Sequence, residues 1–210
     1  MWHQLIVNAS QAFICDDGDT PTCHHGSLGP PLKAFTFDMP GSERSRLDAY
    51  LSHVLRAIQY VADTYSGMRL HDRLAFAVSD VAFCAQLRPR LNEALKSTYQ
   101  VDGRPRFELK DAKAACRSCP ALGADRREAP DGKEWLIFDT VDALEGLERL
   151  ILIAVNLDSP VSGSSTLESR SRLYRALTRA HMLVLVVNAH ISTLRCSEPT
   201  GLLSSLRSSN

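Results

Sequence analysis

Two sets of residues in the last third of the chain could do chemistry together. Glu145 and Glu148 are three apart, with Gly146 between them. On a helical segment the two carboxylates would share a face. A carboxylate accepts hydrogen bonds from hydroxyls, and a glycine lets backbone approach a ligand closely. Arg172, Arg175 and Arg179 fall at i, i+3 and i+7, one stripe if the segment is helical. The planar fork of a guanidinium suits phosphate or carboxylate. As residue types alone, both sets read as solvated surface charge, the commoner fate of Glu and Arg. A third set joins Cys23-His24-His25 with Cys116-Arg117-Ser118-Cys119. Thiolate and imidazole are zinc ligands, but a single C-x-x-C on a charged, helix-like segment is not a zinc signature. Free cysteines and no metal are expected.

These residues need elements to hold them. Trp135–Val141 (W-L-I-F-D-T-V) reads as a strand, Asp142–Arg149 (D-A-L-E-G-L-E-R) as a polar elbow, and Leu150–Asn156 (L-I-L-I-A-V-N) as a second strand. A Ser/Gly/Pro loop, a helical pattern over Ser171–Ala180 and a third run, Met182–Asn188, follow. Leu173, Leu177 and Ala180 give that helix its inner stripe. Continuous apolar runs with a helix between them suit strands buried on both faces of a parallel sheet. Such sheets place ligand sites at their turns.

Earlier in the chain, Gln4–Asn8 is a short apolar run and Cys15–Pro40 reads as loop. Ser42 is a plausible N-cap for a helix whose residues Leu47, Tyr50, Leu51, Val54, Leu55, Ile58 and Val61 form one apolar stripe, ended by Tyr65-Ser66-Gly67. Arg73–Ser79 reads as a strand. Asp80 can cap the next helix, with Phe83, Cys84, Leu87, Leu91 and Leu95 inward, and Pro89 should kink or restart it. Tyr99–Lys133 is polar and turn-rich, with interleaved charges, and reads as a solvated linking segment. Leu202–Asn210 reads as a frayed tail. The expected fold is α/β, with a mainly parallel sheet and helices on both faces. Residues 1–40 are read as the end of a preceding lobe or an irregular segment. Residues 41–190 form the main domain, with a polar insert at about 99–133, and 191–210 form a tail.

Bulk properties narrow the class. The chain has 210 residues, 44% of them hydrophobic, with 24 basic against 24 acidic side chains and six cysteines. That composition excludes wholesale disorder, and the balanced charge gives no global attraction to nucleic acid. No apolar run approaches the ~20 residues of a membrane span, and the first residues carry no basic n-region. A cytoplasmic or nuclear protein without membrane attachment is expected.

The elbow and the last helix carry a resemblance. T-V-D-A-L-E-G-L-E at 140–148, with L-Y-R-A-L-T-R-A at 173–180, resembles motifs V and VI of the second RecA-like domain of UvrD-like superfamily 1 helicases. The Schlafen-type members look closest, since G-L-E-R runs directly into a strand. The resemblance implies a RecA-like, P-loop NTPase-type sheet. It implies Glu148 on the ribose of ATP, with Gly146 beside the nucleotide. Arg179 would be an arginine finger on the γ-phosphate. Thr140 and the neighbouring Asp142 would lie along a single nucleic-acid strand. In that family a strand ending in D-x-x-Q precedes this domain. Asn8, Gln11 and Phe13 would take its Asp, Gln and aromatic places, with Gln11 at the terminal phosphate. The family also has an early Arg that reaches phosphate; Arg44, Arg46 and Arg56 are candidates, and no motif selects one. The family usually has His at the place of Asp142 and often Lys or Gln at that of Glu145, so this chain carries more negative charge there.

No G-x-x-x-x-G-K-[ST] loop and no D-E-x-x motif for Mg²⁺ occur in the chain. Those parts cradle the phosphates and metal and belong to the first RecA-like lobe in the family. The resemblance therefore implies half of an ATP motor, in which ATP and Mg²⁺ are bound only with a first lobe supplied in cis or in trans. The alternative is a pseudo-helicase lobe without catalysis that binds protein or nucleic acid. Both readings leave the chain inactive on its own.

Overall fold

A computed structural model of the chain describes residues 33–38, 42–117, 133–157 and 166–190. The elements run β1 (Lys33–Asp38), α1 (Glu43–Thr64), β2 (Leu74–Val78), α2 (Val81–Thr98), β3 (Gln100–Val101), β4 (Arg104–Pro105), β5 (Phe107–Lys110), α3 (Ala112–Arg117), β6 (Glu134–Thr140), β7 (Arg149–Val155), α4 (Thr166–Leu177) and β8 (Ala180–His190).

Six strands form one sheet in the order β1-β8-β7-β2-β6-β5, and every pairing in it is parallel. Strands β3 and β4 form a separate antiparallel hairpin. The fold is thus the expected α/β architecture, and it matches a RecA-like domain. Alternation along the strands divides two cores. Leu74, Phe76 and Val78 face α1 and α2, in one cluster with Phe138, Ile153 and Leu185. Ala75 and Ala77 face the other way, with Ile137, Leu152, Ala154 and Val184, toward the elbow and α4.

Helix α1 follows its stripe: Tyr50, Val54, Ile58 and Val61 are fully buried, and Ser42 accepts from Ser45 N–H at its start. Asp80 caps α2 through Phe83 N–H at 2.8 Å. Pro89 neither stops nor restarts that helix, which runs unbroken to Thr98. The ring lies on the exposed face, so the missing N–H costs one hydrogen bond beside water.

Further expectations change. Lys33–Asp38 is not loop but an edge strand beside β8, so the sheet begins before residue 41. The segment read as a solvated linker contains the β3–β4 hairpin, α3 and β5, whose Phe107 and Leu109 are buried at the other edge. The T-R-A segment is not helical throughout. Helix α4 ends at Leu177, Arg179 N–H closes a tight turn onto Ala176 O, and the Arg179 carbonyl already accepts from Arg149 N–H at 2.9 Å. Strand pairing takes over where the helix pattern still continues. The arginine stripe is therefore broken: Arg172 and Arg175 are on α4, and Arg179 sits in the turn before β8.

The elbow is not a helix either. Thr140 Oγ1 accepts from Ala143 N–H at 3.2 Å. Successive turns follow, closed by Leu144, Glu145 and Leu147 N–H groups onto Thr140, Asp142 and Leu144 carbonyls. Gly146 has φ +79°, a left-handed conformation that costs other residues ~1–2 kcal/mol. Glu145 and Glu148 consequently do not share a helical face. Val141 and Leu144 are buried in the second core. The two small side chains of β2 on that face, Ala75 and Ala77, leave room for a chain crossing the sheet.

Candidate functional site

The elbow carries the chain from the carboxyl end of β6 back to the amino end of β7. It therefore touches both edges of the sheet, and the sequence-derived site residues divide between them.

At the amino edge, Glu148 directly precedes β7 and Arg179 directly precedes β8. These strands are neighbours in parallel register, Arg149 opposite Ala180. The Arg149 N–H to Arg179 carbonyl bond, 2.9 Å, ties the two strand entries together. The Glu148 carboxylate lies 2.7 Å from the Nε2 of His181, both side chains nearly half exposed. Arg179 is partly exposed, and among the described residues its guanidinium has no hydrogen bond or ion pair. Beside them Arg149 pairs with Asp72 at 2.9 Å and donates from Nη1 to the Glu148 carbonyl at 2.7 Å. This edge presents a carboxylate with remaining acceptor capacity, an imidazole and an uncommitted guanidinium. Such a set can accept from a sugar hydroxyl and donate to a phosphate. Gly146 stands just upstream, with nothing within 4 Å of the space a side chain would occupy.

The carboxyl edge has a different character. Asn156 directly follows β7 with φ +60°, is 2% exposed, and gathers the neighbouring elements. Its Oδ1 accepts from the Tyr50 hydroxyl at 2.6 Å and from Arg46 Nη2 at 3.1 Å. Its Nδ2 donates to Ser79 Oγ at 2.9 Å, and Ser79 donates to Asp80 Oδ2 at 2.7 Å. Burial works to raise the Asp80 carboxyl. The hydrogen bonds from Phe83 N–H, Ser79 and Ala82 N–H, with Arg172 nearby, outweigh it and hold the group below its ordinary range. Asn156, Ser79 and Asp80 are each bonded to protein partners along this chain, which suits a structural knot. Thr140 is buried here and accepts from Ala143 N–H. Asp142 is exposed and pairs with Arg175 at 2.9 Å.

The structure thus brings Glu148, Gly146 and Arg179 toward one edge and leaves Thr140 and Asp142 at the start of the elbow, by the other. Gln11, Asn8 and Phe13 lie outside the described residues, as do Cys23, His24, His25 and Cys119. Of the early arginines, Arg46 joins the Asn156 knot; Arg44 and Arg56 are exposed on α1. Among the described residues, no group of three or more His, Cys, Asp or Glu could hold a metal ion. Burial pushes the Cys84 thiol up to about 11, which leaves it unreactive at neutral pH. No described helix is long and apolar enough to cross a membrane.

Sequence reasoning did not single out His181, Arg149 or Asp72. Their signal was faint: each flanks a strand entry, and only the strand order makes them neighbours. The buried Asn156 and Asn188, the latter accepting from Leu157 N–H, were not singled out either, although V-N recurs at 155–156 and 187–188.

No family model matches the chain, and no curated protein matches it. Among solved structures, the chain is similar to the C-terminal domain of a possible DNA helicase from Lactobacillus plantarum WCFS1. The TM-score is 0.53 at 14% identity, over 89% of this chain and 84% of that one. The chain therefore has a fold like that of a helicase C-terminal domain.

Proposed function

We propose that the chain is the second RecA-like lobe of an ATP-driven superfamily 1 nucleic-acid motor, of UvrD-like or Schlafen-like type. Glu148 accepts from the nucleotide ribose, Arg179 reaches the γ-phosphate, and the polypeptide at Gly146 lies against the ligand. The observation that carries this reading is the meeting of Glu148 and Arg179 at adjacent strand entries, linked by the Arg149 N–H to Arg179 carbonyl bond. Nothing in their sequence separation requires that meeting, and the resemblance does.

The residues present fit such a ligand. Glu148 keeps one carboxylate oxygen beyond the His181 contact, enough to accept from a hydroxyl. Arg179 has a delocalised charge for a phosphate that gains negative charge during transfer. No acidic cluster for Mg²⁺ stands among the described residues, so the phosphate cradle and the metal belong to a first lobe, in cis or in trans. With that lobe, this chain's residues orient the nucleotide and supply charge stabilisation. Closure of the lobes then moves a single nucleic-acid strand past the elbow at Thr140 and Asp142. A cytoplasmic or nuclear site of action goes with this role.

In the two-lobe enzyme, Arg179→Ala should lower ATP turnover by ~10³-fold or more. Its melting temperature should stay unchanged, since the side chain bonds to no described residue. Glu148→Ala should raise KM for ATP more than it lowers kcat. Unchanged turnover in Arg179→Ala would refute the assignment.

One observation favours the second reading, a lobe that binds without catalysis. Asp142, in the elbow where the family meets nucleic acid, is turned to an internal ion pair with Arg175, and Glu145 is exposed beside it. Single-stranded DNA and RNA titrations decide between them. The motor reading requires strand binding by the two-lobe enzyme; the second requires a partner that binds when Arg179 and Glu148 are both replaced.

A further inference from the structure

We infer that Arg149, anchored by Asp72, is the positioning residue of the nucleotide edge: it sets where Glu148 and Arg179 stand relative to each other. This rests on the reading of that edge as the ATP-facing one.

Arg149 bonds to three strand entries at once. Its backbone N–H holds the Arg179 carbonyl before β8 at 2.9 Å. Its Nη1 holds the Glu148 carbonyl at 2.7 Å. Its Nη2 reaches Asp72 before β2 at 2.9 Å. The Arg149 side chain is only 17% exposed and Asp72 40%, so the arginine end of the pair is the less screened one. The pairing also changes here: β7 and β8 match Arg149 with Ala180 and then shift register before Ile151. Regular strand pairing therefore does not by itself dictate the geometry at this end; the Arg149 N–H holds the β8 entry, and the guanidinium ties the β7 entry to Asp72.

Asp72 is itself held by a second set of bonds. It adopts φ +53°, a conformation that Asp tolerates better than most residues. Its N–H donates to the Trp135 carbonyl. The preceding N–H groups of Leu70 and His71 donate to the Glu134 carboxylate, which Arg106 Nε meets at 2.7 Å. His71 Nδ1 accepts from Trp135 N–H at 3.0 Å. The turn before β2 is thus clamped to the entry of β6, and Arg149 carries that fixed point across to β7 and β8. The guanidinium fixes the backbone at Glu148 to Asp72, and the backbone N–H of the same residue holds the Arg179 carbonyl, so a shift of Arg149 moves both.

The test uses the two-lobe enzyme with Arg149→Ala, Arg149→Lys, Asp72→Asn and the Arg149→Ala/Asp72→Asn double variant, beside Arg179→Ala. Displacement of a catalytic group by about 1 Å is worth ~10²-fold. Arg149→Ala should lower kcat by about 10- to 100-fold. Arg149→Lys should recover part of that loss, because an ammonium still reaches Asp72 but cannot fork onto the Glu148 carbonyl. The double variant should be no worse than Arg149→Ala. A second readout needs no nucleotide: in the chain alone, Arg149→Ala should shift the imidazole ¹⁵N signals of His181 by moving its Glu148 partner, and Arg149→Lys should shift them less. If Arg179→Ala abolishes turnover while Arg149→Ala leaves kcat and the His181 signals unchanged, the positioning role is overturned and the edge assignment stands. Additive losses in the double variant would equally overturn it. If Arg179→Ala leaves turnover intact, the edge assignment falls and the positioning role with it.

Discussion

Asn156 shows what a single side chain does in this sheet. It is buried at positive φ and bonds to Tyr50, Arg46 and Ser79, on three different elements. Asn156→Ala should cost about 2–4 kcal/mol. It removes the acceptor that the Tyr50 hydroxyl and Arg46 share and the donor to Ser79 Oγ, and puts an alanine in the left-handed region. Chemical denaturation measures this; a loss under 0.5 kcal/mol would mean the knot is incidental. His71 supplies a pH dependence. Burial lowers its pKa, against the opposing pull of Asp72 and Glu134. The folded state therefore favours the neutral ring, which Trp135 N–H requires as acceptor. This stability is complete above the ordinary imidazole value of ~6.5 and is lost as pH falls through the lowered folded value. Urea midpoints from pH 8 to pH 5 should fall more steeply in the wild type than in His71→Asn, which cannot titrate. Parallel slopes would contradict the account.

Among the elements, the elbow carries the most functional weight, and two alanines make it possible. Ala75 and Ala77 lie in the core it crosses. Ala77→Leu should overpack that layer, at about 1–3 kcal/mol, and displace Gly146 and Glu148. Thermal unfolding measures the first effect and the KM for ATP in the two-lobe enzyme the second; a rise in KM without loss of stability would contradict this packing account. Gly146→Ala should cost about 1–2 kcal/mol through backbone strain alone, since open space surrounds the added carbon. The central strands were readable because burial on both faces makes Leu150–Asn156 and Met182–Asn188 continuous apolar runs. The edge strands were not. Lys33–Asp38 is largely exposed, and Phe107–Lys110 offers only two buried side chains. The end of α4 was misjudged because T-R-A suits a helix locally. The competing bond from Arg149 N–H comes from a strand far away in sequence, and no local pattern announces it.

For the whole molecule, the two edges of one sheet have opposite chemistry. The carboxyl edge is knotted by Asn156, Ser79 and Asp80, each matched by protein partners. Among the described residues, the amino edge leaves the Arg179 guanidinium uncommitted and the Glu148 carboxylate with acceptor capacity. The family resemblance paired Glu148 with Arg179 before any strand order was known. It could not reveal that Arg149, Asp72 and His181 join them, since that depends on β2, β7 and β8 lying side by side. The most direct test is hydrogen exchange of the chain together with a first RecA-like lobe, with and without a non-hydrolysable ATP analogue and Mg²⁺. Nucleotide-dependent protection is expected at residues 146–151 and 178–182. Protection confined to residues 79–82 and 156–157 would place the nucleotide at the other edge and contradict that expectation.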